Sequence, residues 1–303
     1  MLLVLGSINT DLTTVAAEIP NIGETVIGKS FSQYAGGKGA NQAVCAARLG
    51  SDVCFLGKVG NDAYGDFLLQ EMEHSGIDVS RIEKCEQSTG IAAISVDAKG
   101  QNSIIVAPGA NFSVDCEYVD RHVDAIEDCE IMLAQHETPI QTTEHAFHLA
   151  KERNRTTILN PSPAQTISEA LINATDILVP NEHELARLTG LQCHSLEEIW
   201  QAAQVLRRKG AGSIIITMGQ QGAMYVGEGI EQVFPAFTVD VVDTTAAGDS
   251  FLGGFTTSYL KTGNLVEAIT YGQMVASYSI QHKGAQNSMP YHDQLTAHMN
   301  QLK

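Results

Sequence analysis

Nowhere in the 303 residues do about 18 apolar side chains run together, so no segment has the length a bilayer-spanning helix needs. The apolar run at the amino end, Leu2–Leu5, is stopped by Gly6-Ser7 and follows no basic stretch, so no signal peptide is expected. Basic residues are scarce: 18 Lys and Arg against 35 Asp and Glu leave a formal charge of −17. A surface that acidic repels phosphate backbones and anionic lipid. No basic cluster exceeds Arg207-Arg208-Lys209, so neither a nucleic acid nor a membrane is an expected partner. The six cysteines (Cys45, Cys54, Cys85, Cys116, Cys129 and Cys193) form no C-x-x-C pair. They are expected to be free thiols of a reducing cytoplasm, not a disulfide framework or a zinc site. H-E-x-x-H and G-x-S-x-G are both missing, which removes the commonest zinc-protease and hydrolase readings.

What is present is core material. Hydrophobic residues make up 44% and charged residues only 17%, a balance that argues against disorder. The length fits two domains, or one α/β domain with an appendage. Short apolar runs at Leu2–Leu5, Val53–Leu56, Ile131–Ala134, Thr157–Leu159, Ile177–Val179 and Ser213–Thr217 read as buried strands. Amphipathic stretches lie between them: Ala40–Leu49, Gly65–Ser75, Thr142–Arg153, Glu182–Leu188 and Leu196–Lys209. This alternation predicts an α/β fold, a mostly parallel sheet flanked by helices, with ligands at the strand ends. Residues 12–35 and 88–107 instead show β-type alternation without a helix. They predict a small β lid or dimerisation subdomain over a body made of 1–11, 36–87 and 108–303.

Gly23–Ser30 matches G-x-x-x-x-G-K-[ST] literally but lacks the following helix that a phosphate loop requires. Gly36-Gly37-Lys38-Gly39-Ala40-Asn41-Gln42-Ala43 opens a helix of small residues. It reads either as a tight turn into a packed helix or as a site where backbone, Lys38 and Asn41 approach hydroxyls. Asp243-Thr-Thr-Ala246-Ala247-Gly248-Asp249 precedes another small-residue helix. Small residues at a helix start leave N–H groups free for an anion. Asp249 is then a helix cap or a base beside that anion. Asn181 and Glu184 sit three apart at a third helix start, as a capping box or as groups holding water on magnesium.

Taken together, these motifs resemble the ribokinase-like (PfkB-type) carbohydrate kinases, and among them the ribokinases. The likeness runs in order through Gly6-Ser7-Ile8-Asn9-Thr10-Asp11, the Gly36–Ala43 stretch, Gly109-Ala110-Asn111 and Asn160-Pro161-Ser162-Pro163. It continues through Pro180-Asn181-x-x-Glu184, Thr217-Met-Gly219-x-x-Gly222, Asp243–Asp249 and Lys283-Gly284-Ala285-Gln286. The resemblance implies ATP-dependent phosphorylation of a sugar's primary hydroxyl, ribose by preference, in a cytoplasmic homodimer joined through the lid. It implies Asp249 as base and Ala246, Ala247 and Gly248 as an anion hole. Asn9, Asp11, Gly37, Lys38, Asn41 and Glu137 match sugar-side positions. Asn181, Thr217, Gly219, Gly222, Gly248 and Gln273 match ATP-side positions, and Glu184 matches the acid tied to Mg2+. Asp243, Thr245, Ser279, His282, Gly284 and Ser288 match a K+ site. The chain departs from the usual pattern at Ala246 (often Gly), His282 (commonly Arg), Gln273 (commonly His) and His136 (apolar or Asn). Deoxyribokinases share most of these motifs. Nucleoside kinases of the family need apolar stacking for a base, and no lid aromatic clearly serves it. A catalytically silent sugar-binding regulator is the reading from another class; Asp249, the anion-hole residues and Lys38 all stand against it.

Overall fold

The structure is a computed structural model that describes residues 1–227 and 229–301. In chain order its strands are β1 (Leu2–Leu5), β2 (Asn9–Val15), β3 (Ser30–Gly36), β4 (Val53–Leu56), β5 (Lys58–Gly60), β6 (Glu83–Cys85) and β7 (Gly90–Val96). Then come β8 (Asn102–Ala107), β9 (Ile131–Gln135), β10 (Thr156–Asn160), β11 (Ile177–Leu178), β12 (Ser213–Thr217), β13 (Ala223–Gly227) and β14 (Ile230–Phe234). The helices are α1 (Lys38–Arg48), α2 (Ala63–His74), α3 (Cys116–Arg121), α4 (Val123–Asp128), α5 (Ile140–Glu152) and α6 (Glu169–Asn173). They continue with α7 (Glu182–Thr189), α8 (Leu196–Arg208), α9 (Ala247–Thr262), α10 (Leu265–Ser279) and α11 (His292–Gln301).

The main sheet runs β14-β13-β12-β11-β10-β9-β1-β4. From β12 to β4 its neighbours are parallel, while β13 and β14 join antiparallel at one edge. Strand parity divides the core into two layers. Leu2, Val4, Val53, Phe55, Ile131 and Leu133 point to one face, where α1, α2, α9 and α10 supply Ala43, Val44, Leu68, Met72, Phe251, Phe255 and Ile269. Their neighbours Leu3, Leu5, Cys54, Leu56, Met132 and Ala134 point to the other. There α3 to α8 supply Tyr118, Ile126, Phe147, Leu171, Leu185, Ile199 and Leu206. Burial on both faces is why these strands read as continuous apolar runs. The fold expected from sequence is the fold observed.

The two β-type stretches meet in a second sheet of order β3-β2-β7-β8. Each is an antiparallel hairpin, and β2 and β7 join them in parallel register from Asn9↔Gly90 to Val15↔Val96. No helix follows Gly23–Ser30, which enters β3 directly. None of the described helices is long and apolar enough to cross a membrane. All six cysteines are free thiols.

Helices α1 and α9 lie close together because glycine removes side chains between them. A Cβ on Gly253 would stand 2.6 Å from the Cys45 sulfur and 3.1 Å from the Ala46 nitrogen. At the other end of α1, a Cβ on Gly39 would stand 2.7 Å from the Gly6 Cα after β1. Gly253→Ala should therefore push α9 off α1 and destabilise the chain by about 1–3 kcal/mol, the usual cost of overpacking. Urea unfolding measures this, and an unchanged midpoint would show that the contact tolerates a methyl group.

Candidate active site

The carboxyl ends of the parallel strands converge on one cleft. Its walls include Asn160 and Ser162 after β10, Val179, Asn181 and Glu184 after β11, and Thr217 at the end of β12. Lys38 at the start of α1, Thr244, and Ala246, Ala247, Gly248, Asp249 and Leu252 around the start of α9 complete it. The cavity holds about 200 Å³. Ligands gather at such strand ends in open α/β sheets.

Each wall residue is placed by local chemistry. Gly37 sits at φ 91°, and a Cβ there would meet the Ser7 carbonyl and the Asn9 nitrogen at 2.8 Å. Only glycine lets the backbone pass so close and turn into α1. Asn181 caps α7: its side chain accepts from the Glu184 amide at 2.8 Å, and Glu184 Oε2 accepts from the Asn181 amide at 2.9 Å. The capping-box reading is thus correct, and it aims both residues into the cleft. Ala246 adopts the left-handed conformation at φ 57°, ψ 20°, and α9 begins after it. Asp249 is not the cap but a buried first-turn residue. The first amides of α9 lack intrahelical acceptors; that of Ala247 lies 3.2 Å from the Thr244 carbonyl.

Charge is concentrated here. Burial pushes the Asp11 carboxyl up to about 6, helped by the negative charges of Glu137 and Asp249. Burial alone would lower the Lys38 ammonium, but Asp249, Glu137 and Glu184 outweigh it and hold its pKa above the ordinary value. Glu137 Oε2 accepts from the Ser7 hydroxyl at 2.6 Å and from the Lys38 amide at 3.1 Å, pinning β1's exit to α1. Asn9 accepts from Asn111 at 2.7 Å, and Asn111 accepts from the Ile8 amide at 2.9 Å. The Gly109-Ala110-Asn111 motif thereby braces the start of β2. Asn9, Asp11, Gly37 and Glu137 are not walls of the cleft itself; Asp11 and Glu137 reach it electrostatically, through Asp249 and Lys38.

Asn181 and Thr217 are paired across a β-bridge on the cleft wall. Gly219, Gly222 and Gln273 lie off that wall. Gly222, at φ 92°, has no room for a Cβ against the Phe234 carbonyl, and Gln273 donates to that same carbonyl at 2.8 Å. Asp243 does what a loop cap does: Oδ1 accepts from the Thr245 amide at 2.9 Å and its hydroxyl at 2.7 Å, and Oδ2 from the Gly284 amide at 2.9 Å. The Ser279 hydroxyl is buried and unpartnered, while Ser288 donates to the Ala285 carbonyl at 2.7 Å. His282 stacks on Tyr278 with ring centroids 4.4 Å apart and is exposed. Among the described residues, no three His, Cys, Asp or Glu side chains assemble a metal site by themselves.

The cleft also uses residues that sequence reasoning left without a role. Asn160, Ser162 and Thr244 line it, and Gln42 lies behind Asp249. Asn160, Ser162 and Gln42 stand inside the family-like motifs, so the signal was present but undirected.

The raised Asp11 pKa carries a stability consequence. A carboxylate that titrates near 6 folded and near 3.8 unfolded opposes folding above pH 6, and this cost vanishes below pH 4. At about 1.4 kcal/mol per unit the cost is at most about 3 kcal/mol. Asp11→Asn should raise the thermal midpoint at pH 7.5, with the gain fading as pH falls to 4. A gain that does not depend on pH would contradict this account.

Comparison with known proteins agrees with this geometry. Residues 1–291 match the model of the pfkB family carbohydrate kinases. The chain is 40% identical over 291 residues to the ribokinase of Haemophilus influenzae, covering 95% of each. It is 37% identical over 299 residues to the deoxyribokinase of Salmonella typhimurium, covering 98% of each. Its fold superposes on Arabidopsis thaliana ribokinase complexed with ribose and ATP at a TM-score of 0.94, with 30% identity over 98% of each chain. The chain belongs to the pfkB family of carbohydrate kinases, and with it to the ATP-dependent sugar kinases.

Proposed function

We propose that the chain transfers the γ-phosphoryl group of ATP to the primary hydroxyl of D-ribose, giving ribose 5-phosphate and ADP in the cytoplasm. The observation that carries this reading is a buried carboxylate, Asp249, in the first turn of α9, in one cleft with Lys38 and the amino end of that helix. A hydroxyl is a poor nucleophile. Asp249 orients it and takes its proton as the oxygen attacks phosphorus. The amides of Ala246, Ala247 and Gly248 then face the charge that spreads over the transferring group, with the dipole of α9 behind them. Lys38 adds a positive charge on the same side. Asn9, Asp11, Gly37, Lys38, Asn41 and Glu137 hold the sugar's hydroxyls.

Asn181, Thr217, Gly219, Gly222 and Gly248 serve the nucleotide. Gln273, committed to the Phe234 carbonyl, shapes that side from behind. Glu184 fits a water-mediated role toward Mg2+: one oxygen is spent on the α7 cap and the side chain borders the cleft. Such an ion, held mainly by phosphates and water, supplies charge neutralisation. The loop of Asp243, Thr245, Ser279, His282, Gly284 and Ser288 offers mostly oxygen donors, including the orphaned Ser279 hydroxyl. That set fits K+, which would hold the α9 amides in place. The β3-β2-β7-β8 sheet serves as the lid, and its edge strand β8 exposes Ile104, Ile105 and Val106. A second copy of the chain is the expected cover, because a long apolar edge left open invites pairing.

ADP release across a sugar panel, in potassium and in sodium, tests the reading. Ribose should exceed 2-deoxyribose in kcat/KM by about tenfold or more, because a missing 2-hydroxyl strands the polar groups built for it. Asp249→Asn should lose about 10²-fold or more. Potassium should raise turnover, and Asp243→Ala should remove that response while basal activity remains. Equal or better turnover of 2-deoxyribose would move the assignment to that sugar, and an active Asp249→Asn would remove the base.

A further inference from the structure

Side-chain amides grip the back of Asp249. Gln42 Nε2 donates to Oδ1 at 2.9 Å, and Asn41 Nδ2 donates to Oδ2 at 3.0 Å. An ionised carboxylate only accepts, so each amide must turn its nitrogen inward and its own oxygen away. Those oxygens are buried and need donors in turn. Gln135 Nε2 reaches the Gln42 oxygen at 2.7 Å, and Gln286 Nε2 reaches the Asn41 oxygen at 3.1 Å. The second hydrogen of Gln42 goes to Asn160 Oδ1 at 3.1 Å, while Asn160 donates to the Val179 carbonyl at 3.0 Å. Gln42 and Gln135 are fully buried, and Asn41, Asn160 and Gln286 nearly so. The direction of every bond in this chain follows from the charge at its end.

We propose that Gln42, backed by Gln135, is a positioning residue for the Asp249 carboxylate, an inference that rests on the reading of Asp249 as the base. Asn41 also matches a sugar-side position, so its loss would not isolate the carboxylate's positioning. Gln42 has no such second role, since its hydrogens and its oxygen are all engaged by Asp249, Asn160 and Gln135. It joins α1 to α9 at the reacting group, and an error there of about 1 Å costs roughly 10²-fold in rate. The titratable groups acting on this spot are Lys38, Asp11 and the Cys45 thiol on α1, which burial pushes up to about 12.

Two substitutions separate positioning from mere packing. Gln42→Met keeps the shape and removes both donors. Gln42→Glu keeps the shape and donates only while its carboxyl is protonated. At saturating ATP and the preferred sugar, Gln42→Met should lose roughly 10–100-fold in kcat, with both KM values changed less than about twofold. For Gln42→Glu, the kcat ratio to wild type should climb as pH falls from 8 to 6, because the new O–H replaces the lost N–H. A packing defect would not produce that slope. If Gln42→Met fails to fold, the Gln42→Glu slope decides alone. Wild-type kcat in Gln42→Met, or a flat ratio in Gln42→Glu beside an inactive Asp249→Asn, would overturn positioning and leave the base intact. An active Asp249→Asn would instead remove the reading beneath it.

Discussion

One ammonium group makes this cleft possible. Lys38 stands within electrostatic reach of Asp249, Glu137 and Glu184, and two of those carboxylates also press on Asp11. In a chain already carrying −17, four acids around one half-buried cleft would repel one another and the approaching phosphates. Lys38 is placed among them because Gly37 and Gly39 let the start of α1 touch the exit of β1, and Glu137 grips the Lys38 backbone directly. The backbone from which the Lys38 side chain springs is therefore held in place, with its charge among these acids.

The same close approach organises the chemistry one layer down. Gly253 on α9 lets the two helices meet with little between them, and Asn41 and Gln42 reach the oxygens of Asp249 from α1. Arg48, at the far end of α1, donates to the Gln286 carbonyl, and the Gln286 side chain donates to Asn41. Helix α1 thus carries Lys38 and Asn41, proposed to face the sugar, and reaches both the proposed base and the loop proposed to hold a monovalent cation. A change in any of these can be felt by the others through one rigid element.

The parallel strands were legible because burial on both faces leaves an apolar signature that needs no partner to interpret. The start of α9 was legible as a helix opened by consecutive small residues, and the helix begins there, at Ala247. The hairpin of β13 and β14 was not, since β14 faces solvent at an edge and mixes Ile230 and Val233 with Glu231 and Gln232. The α7 start read both as a capping box and as a ligand site; the structure has the cap, and both of its residues border the cleft. Gln42 escaped notice because its meaning comes from Asp249, 207 residues away, and Gln135, 93 residues away. Gln273, which the likeness puts on the nucleotide side, donates to the Phe234 carbonyl, a contact 39 residues away that sequence reading had no means to see.

The central claim is that Lys38 allows the carboxylates to share the cleft. Urea unfolding of Lys38→Met across pH, compared with the unaltered chain, addresses it most directly. Taking the one positive charge away from these acids leaves their mutual repulsion unopposed. The account predicts a loss at pH 8 that shrinks as pH falls through about 6, where the Asp11 carboxyl takes up its proton and the crowding of negative charge eases. A loss of equal size at pH 8 and pH 4, or none at either, would contradict it.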